Sequence, residues 1–246
     1  MKYSIIIAQD PAGQNIKRFL LPLKVPFHEV EEKSIFCENI DTRINADIFI
    51  FATTHRAASG KPSLTVHAIG NWDTADLGGQ KKKLVPAPAS LMKDLFLALK
   101  RRHKGDVTIE ATHHGPFLKK PVCFIEIGSS EKEWNDKRLG RIIAETLAHV
   151  VGKEKKYKTI ALLGGGHYSP EANKILERTE YAIGHICPKY KLAALDENTL
   201  LQMYERNLEK IDFFVLDWKG MGAEKERVLT LLEKLHLPWK KSSDLK

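Results

Sequence analysis

Apolar residues recur along this chain in two rhythms. Short runs rich in isoleucine, valine and phenylalanine at residues 3–8, 47–53, 63–69, 107–112, 122–127, 159–163, 181–186 and 212–216 predict β-strands, and 47–53 is apolar enough to be buried on both faces. Between them lie stretches of helical spacing. Residues 87–102 put Leu91, Leu95 and Leu99 on one face, and a helix capped by Ser129 or Ser130 is expected to run to about residue 151 with Leu139, Ile143, Leu147 and Val150 on its apolar side. Shorter helices are expected at 16–21, where Pro22 and Pro26 end the run, at 197–207 and 223–235, and from Ser169-Pro170-Glu171 onward. Strands alternating with helices over the whole length predict an α/β fold, with helices covering a mainly parallel or mixed sheet, in one domain spanning residues 1–246.

Polar residues break the apolar pattern at a few strand ends. Glu110-Ala-Thr-His-His-Gly-Pro116 follows a strand, so His113 and His114 fall where strand gives way to loop. Adjacent imidazoles there can bind metal or move protons, but side chains alternate along an extended strand, so only one ring of the pair is expected in a given cleft. Two other strands deliver histidine in the same way, at Ala52-Thr-Thr-His55 and Gly164-Gly-Gly-His167. Glu126 interrupts the run Val122–Ile127 and is expected either on a polar face or buried with a partner. A cleft lined by these imidazoles and Glu126 suits hydrolysis, which needs an activated water and stabilisation of oxyanion charge. The glycines Gly164, Gly165 and Gly166 let backbone approach a substrate, and the helix starting near Ser169 offers N–H groups to an anion. Trp72 and Tyr168, beside glycine turns, could stack on a base or pack under a loop.

Other chemistries lack their signatures. The triple glycine is not followed by Lys-Ser/Thr, there is no Gly-x-Ser-x-Gly elbow, and no His-Glu-x-x-His zinc helix occurs. Cys37, Cys123 and Cys187 are too widely spaced for a disulfide framework or a paired zinc knuckle; they point to the cytoplasm, and Cys123 and Cys187 are expected to be structural. No apolar run approaches the roughly 20 residues that cross a bilayer, and the first residues read as a strand rather than a signal peptide. A net charge of +8, clumped at Lys81–Lys83, residues 100–104, 119–120, 153–158 and 240–241, favours a nucleic-acid partner over a merely solvated lysine-rich surface.

Taken in order, Asp10-Pro-Ala-Gly-x-Asn15-Ile16, His55-Arg-x-x-Ser59-Gly-Lys-Pro-Ser63-Leu-Thr-Val-His67, Gly70-Asn-Trp72, Thr112-His-His-Gly-Pro116, Glu126-Ile-Gly-Ser-Ser-Glu131-x-x-Trp134 and Gly164-Gly-Gly-His-Tyr168 resemble the D-aminoacyl-tRNA deacylases of the archaeal and plant type. The likeness extends from residue 4 to about 186. It implies a three-layer α/β/α fold of the phosphorylase/hydrolase kind, zinc dependence, and hydrolysis of the ester that joins a D-amino acid to the terminal adenosine of tRNA. On that basis His55, His113, His114 and His167 are candidate zinc ligands, and His113, His114, His167 and Glu126 are candidate catalytic residues. Arg56 and Lys61 would meet the acceptor end of the tRNA, alongside Gly164, Gly165, Gly166 and Tyr168. No membrane and no obligate protein partner are expected. Two other readings fit the residues: a zinc peptidase or amidohydrolase acting on small substrates, and a non-catalytic RNA-binding protein with structural histidines.

Overall fold

A computed structural model describes residues 1–57 and 60–245; Ser59, quoted above, lies outside the described residues. In chain order the elements are β1 (Tyr3–Ile7), α1 (Pro11–Leu20), β2 (Phe27–Glu29), α2 (Ile40–Arg43), β3 (Ile48–His55), β4 (Ser63–Ala68), α3 (Ala89–Arg102), β5 (Val107–Ile109), β6 (Val122–Gly128), α4 (Glu131–Trp134), α5 (Lys137–Val150), β7 (Lys158–Leu163), α6 (Pro170–Arg178), β8 (Tyr181–Cys187), α7 (Glu197–Glu205), β9 (Ile211–Leu216), α8 (Lys225–Lys234) and β10 (Trp239–Lys241). They form a mixed α/β structure with two sheets flanked by helices. The first has the order β2-β1-β3-β6-β4-β5 and the second β10-β9-β7-β8. Every described pairing between these strands is parallel except β4 with β6, so the expectation of a mainly parallel or mixed sheet holds.

Three differences from the sequence expectation have local causes. Helix α1 begins at Pro11, not residue 16: Asp10 caps it by accepting from Gly13 N at 2.9 Å, and Pro11 sits at the first helical position, where its missing N–H costs nothing. The long helix expected up to about 151 is broken into α4 and α5. Ser130 and Glu133 form a capping box at the first, and Asp136 caps the second by accepting from Arg138 N at 2.8 Å. The Asn15 amide donates to Trp134 O and Asp136 O across the break, and Gly140 leaves room for that side chain. The edge strands β2 and β10, three residues each, are too short for an alternation to be read.

The six-stranded sheet has unlike faces. One carries Ile5, Ile7, Ile50, Val66, Ile109, Ile125 and Ile127 into a core shared with α1, α3 and α5. The other begins apolar, with Ile6, Phe49, Phe51 and Phe124; Phe51 and Phe124 stack at 4.7 Å between ring centroids. Each such buried ring contributes about 1.5–3 kcal/mol. Further along the same strands that face turns polar, because Thr53 and His55 follow Phe51 at every second residue and Glu126 follows Phe124. The chain after β5 then stitches the two sheets together. Ala111 N donates to His167 O at 2.8 Å, and Thr112 N donates to Ile186 O at 3.0 Å.

Candidate active site

The polar end of that sheet face floors a cleft of about 920 Å³, walled by residues 8–10 and 31–35 and by Leu77. β3 delivers His55, β6 delivers Glu126 and β4 delivers His67; β4 runs antiparallel to β6 and sets Thr65 opposite Glu126 and His67 opposite Phe124. The segment following β5 supplies Glu110, His113 and His114, and the loop after β7 supplies His167 and Tyr168, with Glu110 and Tyr168 paired as an isolated bridge.

Two buried carboxylates organise the histidines. Glu126 Oε2 lies 3.4 Å from His55 Nδ1 and 3.6 Å from His67 Nε2, and it accepts from the Thr65 hydroxyl at 3.4 Å. Burial alone would raise the Glu126 pKa, but its two imidazole partners outweigh burial and hold it well below the usual carboxylate range. For the same reason His55 and His67 end up above the ordinary histidine value: burial pulls them down, and Glu126 with Glu110 pulls them further up. Glu110 is faced by three histidines, His55 Nδ1 at 3.2 Å, His167 Nε2 at 3.4 Å and His113 Nε2 at 3.7 Å. None of these approaches has hydrogen-bond geometry, and both Glu110 oxygens are buried without a hydrogen-bond partner among the described residues.

His113 and His114 both turn into the cleft, contrary to the alternation expected of an extended pair. His114 adopts a left-handed backbone (φ 48°), which breaks strand geometry and returns its ring to the side of its neighbour. The rings of His113 and His114 lie 4.3 and 5.0 Å from that of His67. Each of the three uses Nδ1 on a backbone carbonyl, His67 on Ala68 O at 3.1 Å, His113 on Ala111 O at 2.8 Å and His114 on Gly115 O at 2.6 Å. A carbonyl can only accept, so Nδ1 carries a proton in all three, and in a neutral ring Nε2 keeps its lone pair. Burial, followed by the neighbouring imidazoles, pushes His113 far down and His114 to about 3, so both are neutral.

Both glutamate clusters suit a cation. The donor atoms of His67, His113 and His114, of Glu110, His113 and His167, and of His55, Glu110 and Glu126 each lie within 4.8 Å of one another. The bare oxygens of Glu110 and the unpartnered Nε2 of His67 are what a buried site for a metal leaves exposed to its ion. Sequence reasoning assigned no role to Glu110 or His67. Their signal was a polar residue at every second position of an apolar strand: Thr65 with His67, and Thr108 with Glu110 and Thr112.

The remaining sequence candidates fall in different places. Tyr168 hydrogen-bonds His55 Nε2 through its hydroxyl at 2.8 Å, and Arg56 lines the cleft with its guanidinium 4.5 Å above the Trp134 ring. Lys61 is paired with Asp106 at 2.6 Å, away from the cleft lining. Gly164 and Gly165 spend their N–H groups on Cys187 O and Gly220 O, and Gly165 and Gly166 border a second, smaller pocket rather than the main cleft. Trp72 does not face a ligand: it is 2% exposed and donates from Nε1 to Thr112 O at 2.7 Å. Cys123 and Cys187 are buried, as expected.

Mixed α/β architecture with a buried histidine–glutamate cluster in an open cleft defines a hydrolase-like protein whose donor atoms are grouped closely enough to hold a cation. Residues 42–240 match the D-aminoacyl-tRNA deacylase family profile. The chain is 39% identical to the D-aminoacyl-tRNA deacylase of Pyrococcus furiosus over 80% of its length and 76% of the relative's. It is 34% identical to that of Methanococcus vannielii over 98% and 100%, and 36% identical to that of Cenarchaeum symbiosum over 91% and 93%. A crystal structure titled as a conserved protein of unknown function superposes with a TM-score of 0.93 at 29% identity, covering 100% of this chain and 96% of the other. The chain belongs to the D-aminoacyl-tRNA deacylase family.

Proposed function

We propose that this protein hydrolyses the ester bond of D-aminoacyl-tRNA, releasing the D-amino acid and free tRNA, and that it does so with zinc at the histidine–glutamate cluster. The observation that carries this reading is Glu110, a buried carboxylate with two unpartnered oxygens at the meeting point of His55, His113 and His167. The residues that would hold zinc are Glu110, His113 and His167, with His67 and His114 beside them. His55 fits that set less well than its neighbours, because Nδ1 lies against two carboxylates and Nε2 is engaged by Tyr168. Zinc would supply Lewis-acid activation of water and of the ester carbonyl.

The chain's own side chains do the rest. Glu126 stays ionised and keeps a proton on His55, which the Tyr168 hydroxyl holds at the cleft floor, so His55 would be the proton source for a departing ribose oxygen. Arg56, stacked on Trp134 at the cleft, meets the acceptor-end phosphates or ribose, whereas Lys61 is held by Asp106 away from the cleft lining. The net charge of +8 favours a tRNA partner, and such a substrate makes the cytoplasm the place of action. Among the described residues no helix is long and apolar enough to cross a membrane.

Deacylation of matched D- and L-aminoacyl-tRNA, with and without chelator, tests the reading. Hydrolysis of the D-ester that disappears with chelator and returns with zinc is expected. Release of amino acids from free acylated substrates, without tRNA, would instead establish the peptidase or amidohydrolase reading, and binding of tRNA without turnover would establish a non-catalytic role.

A further inference from the structure

Beside the main cleft, on the far side of His167, lies a second pocket of about 470 Å³ lined by Gly165, Gly166, Lys189, Tyr190 and Gly220. Its size falls within the roughly 300–1,000 Å³ of small-molecule sites. Tyr190 is 58% exposed, an unusual state for a large aromatic side chain, and Lys189 beside it is exposed too. The backbone beneath is fixed: Lys189 N donates to Gly165 O at 2.8 Å and Gly165 N to Gly220 O at 3.1 Å. A Cβ added at Gly166 would meet nothing within 4 Å, so this wall is open space.

The pocket is tied to the candidate active site through one imidazole. His167 Nδ1 is hydrogen-bonded to the Tyr190 hydroxyl at 3.0 Å, while its Nε2 faces Glu110 at 3.4 Å. His67, His113 and His114 all set their Nδ1 against backbone; only His167, of these four, is oriented by an exposed aromatic side chain. Lysines on two segments near the pocket are tied down by ion pairs: Lys191 reaches Asp73 at 2.7 Å and Lys82 reaches Asp196 at 2.7 Å, while Lys189 is the cation that lines the pocket itself.

The geometry points to this pocket as a nucleotide subsite: the base of the residue preceding the terminal adenosine of tRNA stacks on Tyr190, and the phosphate between the two nucleotides sits by Lys189. This inference rests on the proposed function and extends it. Every base has a π-face, so a stacking platform accepts its nucleotide without reading sequence, which suits an enzyme that must accept many tRNAs. Contact at Tyr190 would also steady His167, so engagement of the acceptor end and readiness of the histidine–glutamate cluster would go together.

The test compares KM for two small substrates, D-aminoacyl-adenosine and D-aminoacyl-CpA, in wild type, Y190A, Y190F and G166L, with binding of uncharged CpA and adenosine measured by calorimetry as a readout independent of turnover. Any loss of His167 positioning affects both substrates and cancels in the ratio of their KM values. Wild type should bind the dinucleotide about 5- to 150-fold better than the nucleoside. That preference should collapse toward one in Y190A, and in G166L, whose side chain fills the pocket; Y190F, which keeps the ring, should retain it. Equal KM values in wild type, or a preference that survives Y190A, would overturn the subsite while leaving the proposed function intact. A wild-type protein that cleaves neither small substrate nor D-aminoacyl-tRNA would refute the function itself, and the subsite with it.

Discussion

The two sheets bury histidine in opposite ways. On the four-stranded sheet, His185 of β8 is fully buried with both nitrogens committed: Nε2 donates to Arg206 O at 2.8 Å, and Nδ1 takes the Thr112 hydroxyl at 3.2 Å. On the six-stranded sheet and the segment beside it, His67, His113 and His114 commit only Nδ1 and aim the other nitrogen at one another or at carboxylates. The sequence offers both kinds within strand-like runs, so burial does not separate them. What separates a structural imidazole from a ligand is whether its second nitrogen has been given a partner.

Breaking that contrast should have its largest effect on turnover. H113A and H167A should each lower deacylation of D-aminoacyl-tRNA by about 10²–10⁴-fold with the fold retained by circular dichroism. H185Q should keep turnover within a few-fold but cost about 1–3 kcal/mol of stability in urea titration, because it leaves the groups around it unsatisfied. Comparable turnover in all three variants would erase the distinction.

The next effect is on acid stability. Burial pushes His185 down to about 4, so below the unfolded value near 6.5 the unfolded chain takes up a proton that the native one refuses. Native stability therefore falls as pH drops from about 6.5 toward 4, and the His185 share is about 3 kcal/mol. The stability advantage of wild type over H185Q should shrink across that range; an advantage independent of pH would mean that His185 is not held neutral.

Smaller effects sharpen the cluster side of the comparison. Y168F removes the hydroxyl on His55 Nε2 and should lower kcat about 10-fold, the lower end of the worth of one hydrogen bond to a charged group. Neutralising Lys81–Lys83 should raise KM for tRNA and flatten its salt dependence while leaving kcat nearly unchanged, as measured by initial rates across a salt series. Unchanged KM at low salt would remove that patch from the tRNA track.

Much of the scaffold was legible because apolar alternation and caps are local. The strands β1, β3, β4, β6, β7, β8 and β9 and helices α3 and α7 fall within a few residues of expectation. The start of α1 was missed because Asp10-Pro11 reads equally as a turn, and the break between α4 and α5 depends on Asn15, distant in sequence. In the site, the histidines at strand ends stood out because loops follow them. The convergence of His55, His113 and His167 required Glu110, and that residue looked like an ordinary strand end until the second sheet closed over it through Ala111 and Thr112. His67 hid within an apolar strand for the same reason: its partner Glu126 is supplied by the antiparallel register of β4 on β6.

The most direct test is E110Q, assayed for bound zinc and for D-aminoacyl-tRNA hydrolysis beside wild type. The amide keeps the shape of the side chain and removes the charge that two bare, buried oxygens would otherwise bring to a cation. The account predicts wild type purified with zinc and active, and E110Q folded, depleted of zinc and inactive. An E110Q protein that holds zinc and turns over substrate as wild type does would contradict it.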